Sequence, residues 1–340
     1  MELEFNGMTP ADFIDTARRA IAACEGKTMT EQAALLAGDG LLGICAPEGA
    51  GGLGMPLAFA VPVAQAGGGS LLAFPLIEML VIARCLSAAH EGVAAAASGA
   101  KIVTVAWQGA ANLAASGSGF VVSGTVGRAP FAESADVIVA RVLDGRGVII
   151  DRRNAGVSVG QTQTIDVIHP EFRVSLDGVA VAAGDILTAD EMAELDRSAC
   201  ILRAAAIIGS ADFCLATAQE HATTRKQFGK PLIANQAIRH HLARHKLALE
   251  SARVVLGQAV SANGSPFSAR AAFQAAVTGG ILVSEGAIQI HGGMGFTWEV
   301  PLHFHLRHVR ALEAQGDQAG NLDRLAEDYI AGFEPKSDAA

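Results

Sequence analysis

The chain has 340 residues and a formal net charge of −9, and 51% of its residues are hydrophobic while only 5% are aromatic. A chain of this length can form two or three domains and bury a large core, and a charged fraction of 17% argues against an intrinsically disordered protein. The negative charge lacks the basic footprint that binds a nucleic-acid backbone, so no nucleic-acid partner is expected.

The cysteines are odd in number and scattered, without a C-x-x-C pair: Cys24, Cys45, Cys85, Cys200 and Cys214. This pattern predicts neither a disulfide framework nor a zinc site, and it is typical of small buried thiols in a reducing compartment. The acidic start of the chain lacks the order of a signal peptide, and no uninterrupted apolar run is expected to span a bilayer. We therefore expect a cytoplasmic protein that does not contact a membrane.

The first hundred residues show a helical period. Thr9 is placed to cap a helix with Pro10 at its first position, and apolar residues then recur on one stripe as far as Ile21. Glycine clusters at 49–54 and 67–69 separate further helices. Residues 1–100 are therefore predicted to form a helical domain.

The period then changes to that of β-strands. Short β-branched runs such as 102–107 and 136–142, separated by Gly, Asn and Asp, predict an antiparallel barrel or sandwich over residues 101–186. The helical period returns in segments of more than twenty residues, which predict an antiparallel four-helix bundle over residues 187–332. The polar residues 333–340 are expected to be a frayed tail. The predicted fold class is a multidomain α+β protein.

Residues 287–299 read Ala-Ile-Gln-Ile-His-Gly-Gly-Met-Gly-Phe-Thr-Trp-Glu and follow a long helical pattern. Three glycines in four positions let the backbone leave the helix through positive φ. A loop without Cβ atoms can approach a flat or anionic ligand, and Gln289 adds an amide that donates and accepts hydrogen bonds. The same glycines also fit an ordinary helix C-cap and turn.

A second stretch, residues 225–238, reads Arg-Lys-Gln-Phe-Gly-Lys-Pro-Leu-Ile-Ala-Asn-Gln-Ala-Ile. The forked guanidinium of Arg225 suits a pyrophosphate, Phe228 can pack on an apolar or aromatic surface, and Gln236 supplies a further amide. In this order and at this spacing, the two stretches resemble the acyl-CoA dehydrogenase family. The order of helices, β-domain and helical bundle is also that of the acyl-CoA dehydrogenase fold.

The resemblance implies FAD as the cofactor. In the family, residues equivalent to those of the two stretches bind the ADP half of an FAD that a neighbouring subunit holds for the most part. Carried over, the residues of this ADP-half site are Arg225, Phe228, Gln236, Gln289, Gly292 and Gly293. The alternative interpretation is that these residues only cap and join helices.

The carboxylate base of the family is missing from this sequence. An acyl-CoA dehydrogenase needs a base that removes the α-proton while the flavin takes the β-hydride. The family places this Glu in one of two positions, which here hold Gly316 and Ala199. The Thr-Glu-Pro and Ser-Asp residues that hold the flavin ring in the family are also absent from residues 105–113. No catalytic residue is therefore predicted.

Residues donated to a neighbour's FAD persist, whereas residues that would hold this chain's own flavin ring do not. The sequence therefore predicts a non-catalytic subunit, similar to the shortened subunit of heterotetrameric steroid side-chain acyl-CoA dehydrogenases in bacteria. The resemblance implies a longer catalytic subunit as the partner, an acyl-CoA thioester as the substrate and electron-transfer flavoprotein as the electron acceptor.

Two alternatives remain open at this point. A self-sufficient homo-oligomeric acyl-CoA dehydrogenase would need a displaced base, for which Asp317 is the first candidate and Glu313 the second. A purely structural relative would bind no flavin at all.

Two of the predicted helices carry three histidines each. His241 and His245 have the i, i+4 spacing of a metal-binding pair, but no H-E-x-x-H arrangement is present. A solvated or interface face is the favoured interpretation, and no metal site is predicted. Arg307, His308 and Arg310 are likewise interpreted as a charged helix face.

Overall fold

The computed structural model describes residues 4–85, 91–117, 119–261 and 264–331. Within them, helices precede and follow a seven-stranded sheet, which confirms the predicted fold class. The expectation of a frayed tail at 333–340 lies outside the described residues.

The N-terminal part is helical. Its helices are α1 (Ile14–Ala22), α2 (Met29–Gly38), α3 (Val61–Ser70), α4 (Leu76–Cys85) and α5 (Glu91–Ala97). Before α1, a short 3-10 helix begins at Pro10, and the backbone N–H of Thr9 donates to the carboxylate of Asp12 at 2.7 Å. The local signals at this start of the chain therefore act as predicted.

The sheet contains a parallel pair that the sequence pattern did not predict. Its strands are β1 (Val103–Ser116), β2 (Gly119–Pro130), β3 (Val137–Val142), β4 (Gly147–Asp151), β5 (Val157–Gln161), β6 (Glu171–Val181) and β7 (Ile186–Leu187). They lie in the order β5-β6-β2-β1-β3-β4-β7, and β1 pairs with β3 in parallel while the other pairs are antiparallel. Alternate residues of the central strands, such as Val122 and Ile138, are fully buried in a core of their own.

The C-terminal part is a helical bundle. Its helices are α6 (Ala189–Thr224), α7 (Gln236–Ala259), α8 (Pro266–His291), α9 (Leu302–Gln315) and α10 (Gln318–Ala331). A small hairpin of β8 (Lys226–Gln227) and β9 (Lys230–Pro231) joins α6 to α7. The sequence pattern predicted four helices, and α10 follows them as a fifth.

The 36-residue helix α6 is the axis of the molecule, since α3, α4, α7, α8 and α9 all pack against it. Glycines permit the closest of these approaches: a Cβ on Gly68 of α3 would lie 2.8 Å from Cα of Ala206, and one on Gly209 would lie 2.9 Å from Cα of Gln65. The N-terminal helices are thereby fixed directly on the bundle.

By length and composition alone, α6 and the segment Pro266–Phe296 are apolar enough to cross a membrane, which the sequence pattern did not predict. In the folded chain, 78% and 56% of their most apolar windows are buried inside the protein. Protein therefore covers most of these apolar residues, because both helices lie in the bundle.

The helices α7 and α8 run antiparallel, and their register decides which residues meet at their ends. A Cβ on Gly286 of α8 would lie 2.9 Å from Nδ1 of His245 in α7, and a Cβ on Gly279 would lie 3.3 Å from the carbonyl oxygen of Ala248. Going towards the start of α7 therefore means going towards the end of α8. The first residue of α7, Gln236, therefore lies at the same end of the bundle as the glycine turn that follows α8.

Candidate functional site

The glycine turn after α8 is an exposed backbone loop. Gly292 ends the helix with φ 62° and ψ −137°, a conformation that favours glycine, and residues Gly292–Phe296 form one 3-10 turn. Gly292 and Gly293 are exposed, and so is Gln289 on the last turn of α8. The turn is both a helix C-cap and an accessible surface of backbone amides.

The hairpin after α6 exposes an aromatic ring. Arg225 is the C-cap of α6, and its carbonyl oxygen accepts a hydrogen bond from the N–H of Leu232 at 2.9 Å, which closes the hairpin. Phe228 lies at the tip with φ 52° and is 98% exposed, and Gly229 follows with φ 78°. A phenyl ring held in water on a tight turn does not contribute to this chain's own core.

The residues predicted for the ADP-half site lie at one end of the bundle. The imidazole rings of His221 in α6 and His291 in α8 stack with centroids 4.2 Å apart, one turn before Arg225 and directly before Gly292. The register of α7 and α8 adds Gln236 to the same end. Among the described residues, no carboxylate forms an ion pair with Arg225, so its guanidinium is available to an anion.

A second place of interest lies where the N-terminal helices, the sheet and the bundle meet. These parts enclose a cavity of about 40 Å³, and its polar lining residues are Glu78, His169, His308 and Gln315. Pockets for organic ligands and cofactors usually measure about 300–1,000 Å³. This cavity has room for a few water molecules and no room for a flavin ring.

Trp107 and two charged side chains fill part of this interior. The indole N–H of Trp107 donates to the carboxylate of Glu78 at 2.7 Å, and the guanidinium carbon of Arg203 lies 3.9 Å from the centroid of the Trp107 ring system. Burial raises the pKa of Glu78 and lowers the pKa of Arg203. Trp107 belongs to residues 105–113, the segment that lacks the family's Thr-Glu-Pro sequence.

A buried cluster of one carboxylate and two imidazoles lines the cavity. Oδ2 of Asp166 accepts from Nδ1 of His169 at 2.8 Å and from Nδ1 of His308 at 2.9 Å, and Nε2 of His169 faces the carbonyl oxygen of Leu72 at 3.0 Å. A carboxylate and a carbonyl oxygen can only accept hydrogen bonds. Both ring nitrogens of His169 therefore face hydrogen-bond acceptors.

The surroundings of the cluster lower the pKa of Asp166 and that of His308. Burial opposes ionisation of Asp166, but the hydrogen bonds from His169 and His308 hold its pKa below the usual range. Burial and the charge of His169 lower the pKa of His308 to about 4, so this second ring is neutral at pH 7. The cluster is a buried carboxylate that accepts hydrogen bonds from two imidazoles, and it joins the β-domain to α9 and, through Leu72, to the N-terminal helices.

The three ligand atoms are close enough together for a metal ion. The rings of His169 and His308, however, are nearly stacked, with centroids 4.1 Å apart and planes tilted by 31°. Nδ1 of each ring already lies at hydrogen-bond distance from Oδ2 of Asp166, so the candidate ligand atoms are bonded to one another. The geometry fits hydrogen bonds to one carboxylate oxygen better than it fits a metal site.

The interpretation of the α9 histidines as a solvated or charged face is wrong. His303, His305 and His308 are all buried, and His305 stacks on Phe213 and contacts the hydroxyl of Ser210 at 3.2 Å. Burial lowers the pKa of His305 to about 3. The histidines of α7 are divided, since His245 is buried against α8 while His240 and His241 are exposed.

The positions examined for a catalytic base do not bring a carboxylate to the cavity. Ala199 is fully buried in α6, and Gly316 lies against Phe273, so that a Cβ there would be 2.8 Å from Cε1 of the ring. The exposed carboxylate of Asp317 lies 3.5 Å from Arg324. Glu313 forms an ion pair with Arg310 at 3.0 Å. Sequence reasoning missed Glu78, which does line the cavity, because nothing in the pattern of α4 marks this glutamate as buried.

Comparisons with known proteins agree on one family. Residues 192–327 match the family described as "Acyl-CoA dehydrogenase, C-terminal domain". The acyl-CoA dehydrogenase IpdE2 of Mycobacterium tuberculosis is 30% identical over 271 residues, which cover 79% of this chain and 77% of the relative. The acyl-CoA dehydrogenase FadE34 of the same organism is 29% identical over 326 residues, and the match covers 90% of this chain but only 45% of the relative.

The fold comparison points the same way. The crystal structure of the ChsE4-ChsE5 complex from Mycobacterium tuberculosis contains a chain that superposes with a TM-score of 0.87 at 25% identity, covering 96% of this chain and 98% of that one.

Proposed function

Because the chain belongs to the acyl-CoA dehydrogenase family, we propose that it is the non-catalytic subunit of a heteromeric, FAD-dependent acyl-CoA dehydrogenase. A longer catalytic partner supplies the carboxylate base and the site of the flavin ring. This chain supplies the ADP-half site, made of Arg225 with the hairpin and glycine-turn residues named above, and half of the bundle interface. When bound, FAD accepts the hydride from the β-carbon of the acyl-CoA thioester.

The observation that carries this proposal is the filled interior. The place where the three parts of the chain meet holds about 40 Å³, with Trp107, Arg203 and the Asp166 cluster occupying the space around it. At the position of the family's base, Phe273 packs against Gly316 and leaves no room for any side chain. This filled interior supports the proposal that the partner, and not this chain, holds the flavin ring beside the substrate.

The exposed end of the bundle fits the ADP half of FAD. The guanidinium of Arg225 has no ion-pair partner among the described residues and offers paired N–H donors to a pyrophosphate. The bare backbone at Gly292 and Gly293 admits a ligand closely. Gln236 and Gln289 add amides that can donate or accept, and Phe228 offers a ring face for stacking. These residues bind and orient the cofactor but do not react with it.

A partner chain would also cover apolar side chains that this chain leaves in water. Leu247 and Val254, seven residues apart, lie on the outer face of α7, and Phe267 and Leu282 lie on that of α8. Such a stripe is typical of a helix interface. The ChsE4-ChsE5 complex carries the names of two different chains, which supports a hetero-oligomer, and we propose a heterotetramer.

The remaining parts of the proposal follow from the family resemblance alone. The substrate is a bulky acyl-CoA thioester, such as one that carries a steroid ring, because the loss of one set of active sites leaves room to enlarge the other. Electron-transfer flavoprotein is the acceptor. The cytoplasmic location that we propose for the complex rests instead on the scattered cysteines, which are typical of a reducing compartment.

The test compares the protein alone with the protein co-expressed with a catalytic partner that has an intact Thr-Glu-Pro segment. We expect flavin absorbance only in the co-purified complex, at about one FAD per pair of unlike chains. Arg225→Ala should remove most of this flavin, because the pyrophosphate loses its counter-charge. Arg18→Ala, at an exposed arginine on α1, is the matched control and should leave the flavin content unchanged.

Two outcomes would overturn the proposal. A full complement of flavin in the lone protein, together with reduction of a dye by an acyl-CoA, would establish a self-sufficient enzyme and return attention to Asp317. An unchanged flavin content in the Arg225→Ala complex would instead indicate a structural relative that contributes nothing to the cofactor.

A further inference from the structure

We propose that His221 and His291 are positioning residues that hold the two halves of the ADP-half site in register. This inference rests on the proposed function, because the two halves are the Arg225 hairpin and the glycine turn at Gly292. The histidine pair is the direct ring contact between the helices that carry them.

The site is built from two separate helix ends, and its geometry depends on how those ends are held. Arg225 caps α6, whereas Gly292 caps α8, and each cap continues into an exposed loop. A pyrophosphate that contacts both loops needs the guanidinium and the backbone amides at a defined separation. Any relative movement of the two helix ends changes that separation directly.

The histidine pair lies immediately inside the two caps. His221 is one helical turn before Arg225, and His291 is the residue before Gly292. The rings lie face to face, with centroids 4.2 Å apart and planes 25° apart. His291 is 8% exposed, and its Nδ1 donates to the carbonyl oxygen of Ala287 at 2.8 Å, so this ring is locked in place.

The pKa of His221 indicates which kind of interaction joins the two rings. Burial lowers the pKa of His221, and the neighbouring charges of His291 and Arg225 lower it further. The His221 ring is therefore neutral at neutral pH and stacks through its face. An aromatic ring without a charge can take its place, whereas a side chain without a ring cannot.

A positioning role of His221 and a merely structural role lead to different results in variants. His221 is only half-buried, so its truncation should cost the folded complex little, while a looser pair of caps should weaken cofactor binding. We expect His221→Ala to weaken FAD binding about five- to tenfold, close to the effect of losing one aromatic pair. His221→Phe keeps the stack and should bind FAD within about twofold of the wild type.

The experiment uses the complex co-expressed with the catalytic partner, stripped of FAD and titrated with FAD while flavin fluorescence is followed. The melting temperature of each FAD-free complex is measured in parallel. Gln219→Ala, at an exposed position two residues before His221 in α6, is the matched control and should behave as the wild type. If His221→Ala does not assemble, His221→Gln replaces it, since it keeps a polar side chain of similar length without a ring.

Arg225→Ala, measured beside these variants, tells apart the two ways in which the experiment can fail. If Arg225→Ala keeps its FAD affinity, the proposed function fails and the inference fails with it. If Arg225→Ala loses affinity while His221→Ala binds like the wild type, only the positioning role is refuted. Equal losses in His221→Ala and His221→Phe, or a lower melting temperature with unchanged FAD affinity, would also refute it.

Discussion

The family resemblance implies that Gly316 takes the place of a catalytic glutamate, and the packing around this glycine predicts the effect of replacing it. The backbone there has φ −80° and ψ 5°, which any residue can adopt. A glycine in such a conformation can usually be replaced by alanine with a gain in stability of about 0.4–1 kcal/mol. At Gly316 we expect the opposite sign, because the space is taken.

The magnitude follows from the packing of Phe273. A Cβ on Gly316 would lie 2.8 Å from Cε1 and 3.0 Å from Cε2 of this ring, and closer still to Cζ, while Phe273 itself is fully buried. Overpacking of this kind costs about 1–3 kcal/mol. Gly316→Ala should therefore lower the free energy of unfolding by that amount. Gly316→Glu should lower it further, because it adds both volume and a buried charge.

Urea unfolding of the purified protein, followed by the circular dichroism of its helices, measures these changes. Gly257→Ala is the control, since Gly257 lies within α7 with nothing within 4 Å of the added Cβ, and it should stabilise the protein by about 1 kcal/mol. In a Phe273→Leu background, Gly316→Ala should cost less than about 0.5 kcal/mol, which corresponds to a coupling of about 1–2 kcal/mol.

A Gly316→Ala variant that is as stable as the wild type, or more stable, would contradict this prediction. The prediction would be refuted more seriously if Gly316→Glu created dehydrogenase activity in the lone chain. Either result would mean that the position is open and that a base was lost without any change in the packing around it.

Two further predictions concern buried histidines. Burial lowers the pKa of His305 to about 3 and that of His308 to about 4, so both rings are neutral in the folded protein, while the unfolded chain takes up protons below about pH 6.5. The free energy of unfolding should therefore fall as the pH decreases from 6.5 towards 4, by about 3 kcal/mol for each ring. Midpoints of urea unfolding that stay constant between pH 7 and pH 5 would contradict this prediction. Gly286→Ala places a Cβ that overlaps the edge of the His245 ring, so the ring or α7 must shift and the melting temperature should fall by several degrees. A second substitution, His245→Ala, should restore most of the loss. A variant that melts like the wild type would exclude this close packing.

Local signals in the sequence were sufficient to predict how α8 ends at the exposed end of the bundle. Glycine, proline and capping residues act on their immediate neighbours, so the end of α8 at Gly292 could be predicted without knowing the fold, whereas the hairpin around Phe228 was not predicted. The roles of these residues came from the family resemblance, and binding of FAD to them stays a prediction.

Only the tertiary structure decided which polar residues lie inside. His308 looked like part of a charged helix face, yet Asp166, 142 residues earlier in the chain, supplies the carboxylate that allows it to be buried. Trp107, Glu78 and Arg203 come from three different parts of the chain and meet in the same interior. The sequence by itself determined the helix periods, the loop chemistry and the absence of a carboxylate at position 316. The interior is filled through contacts between residues that are distant in the chain, and a local sequence period does not encode such contacts.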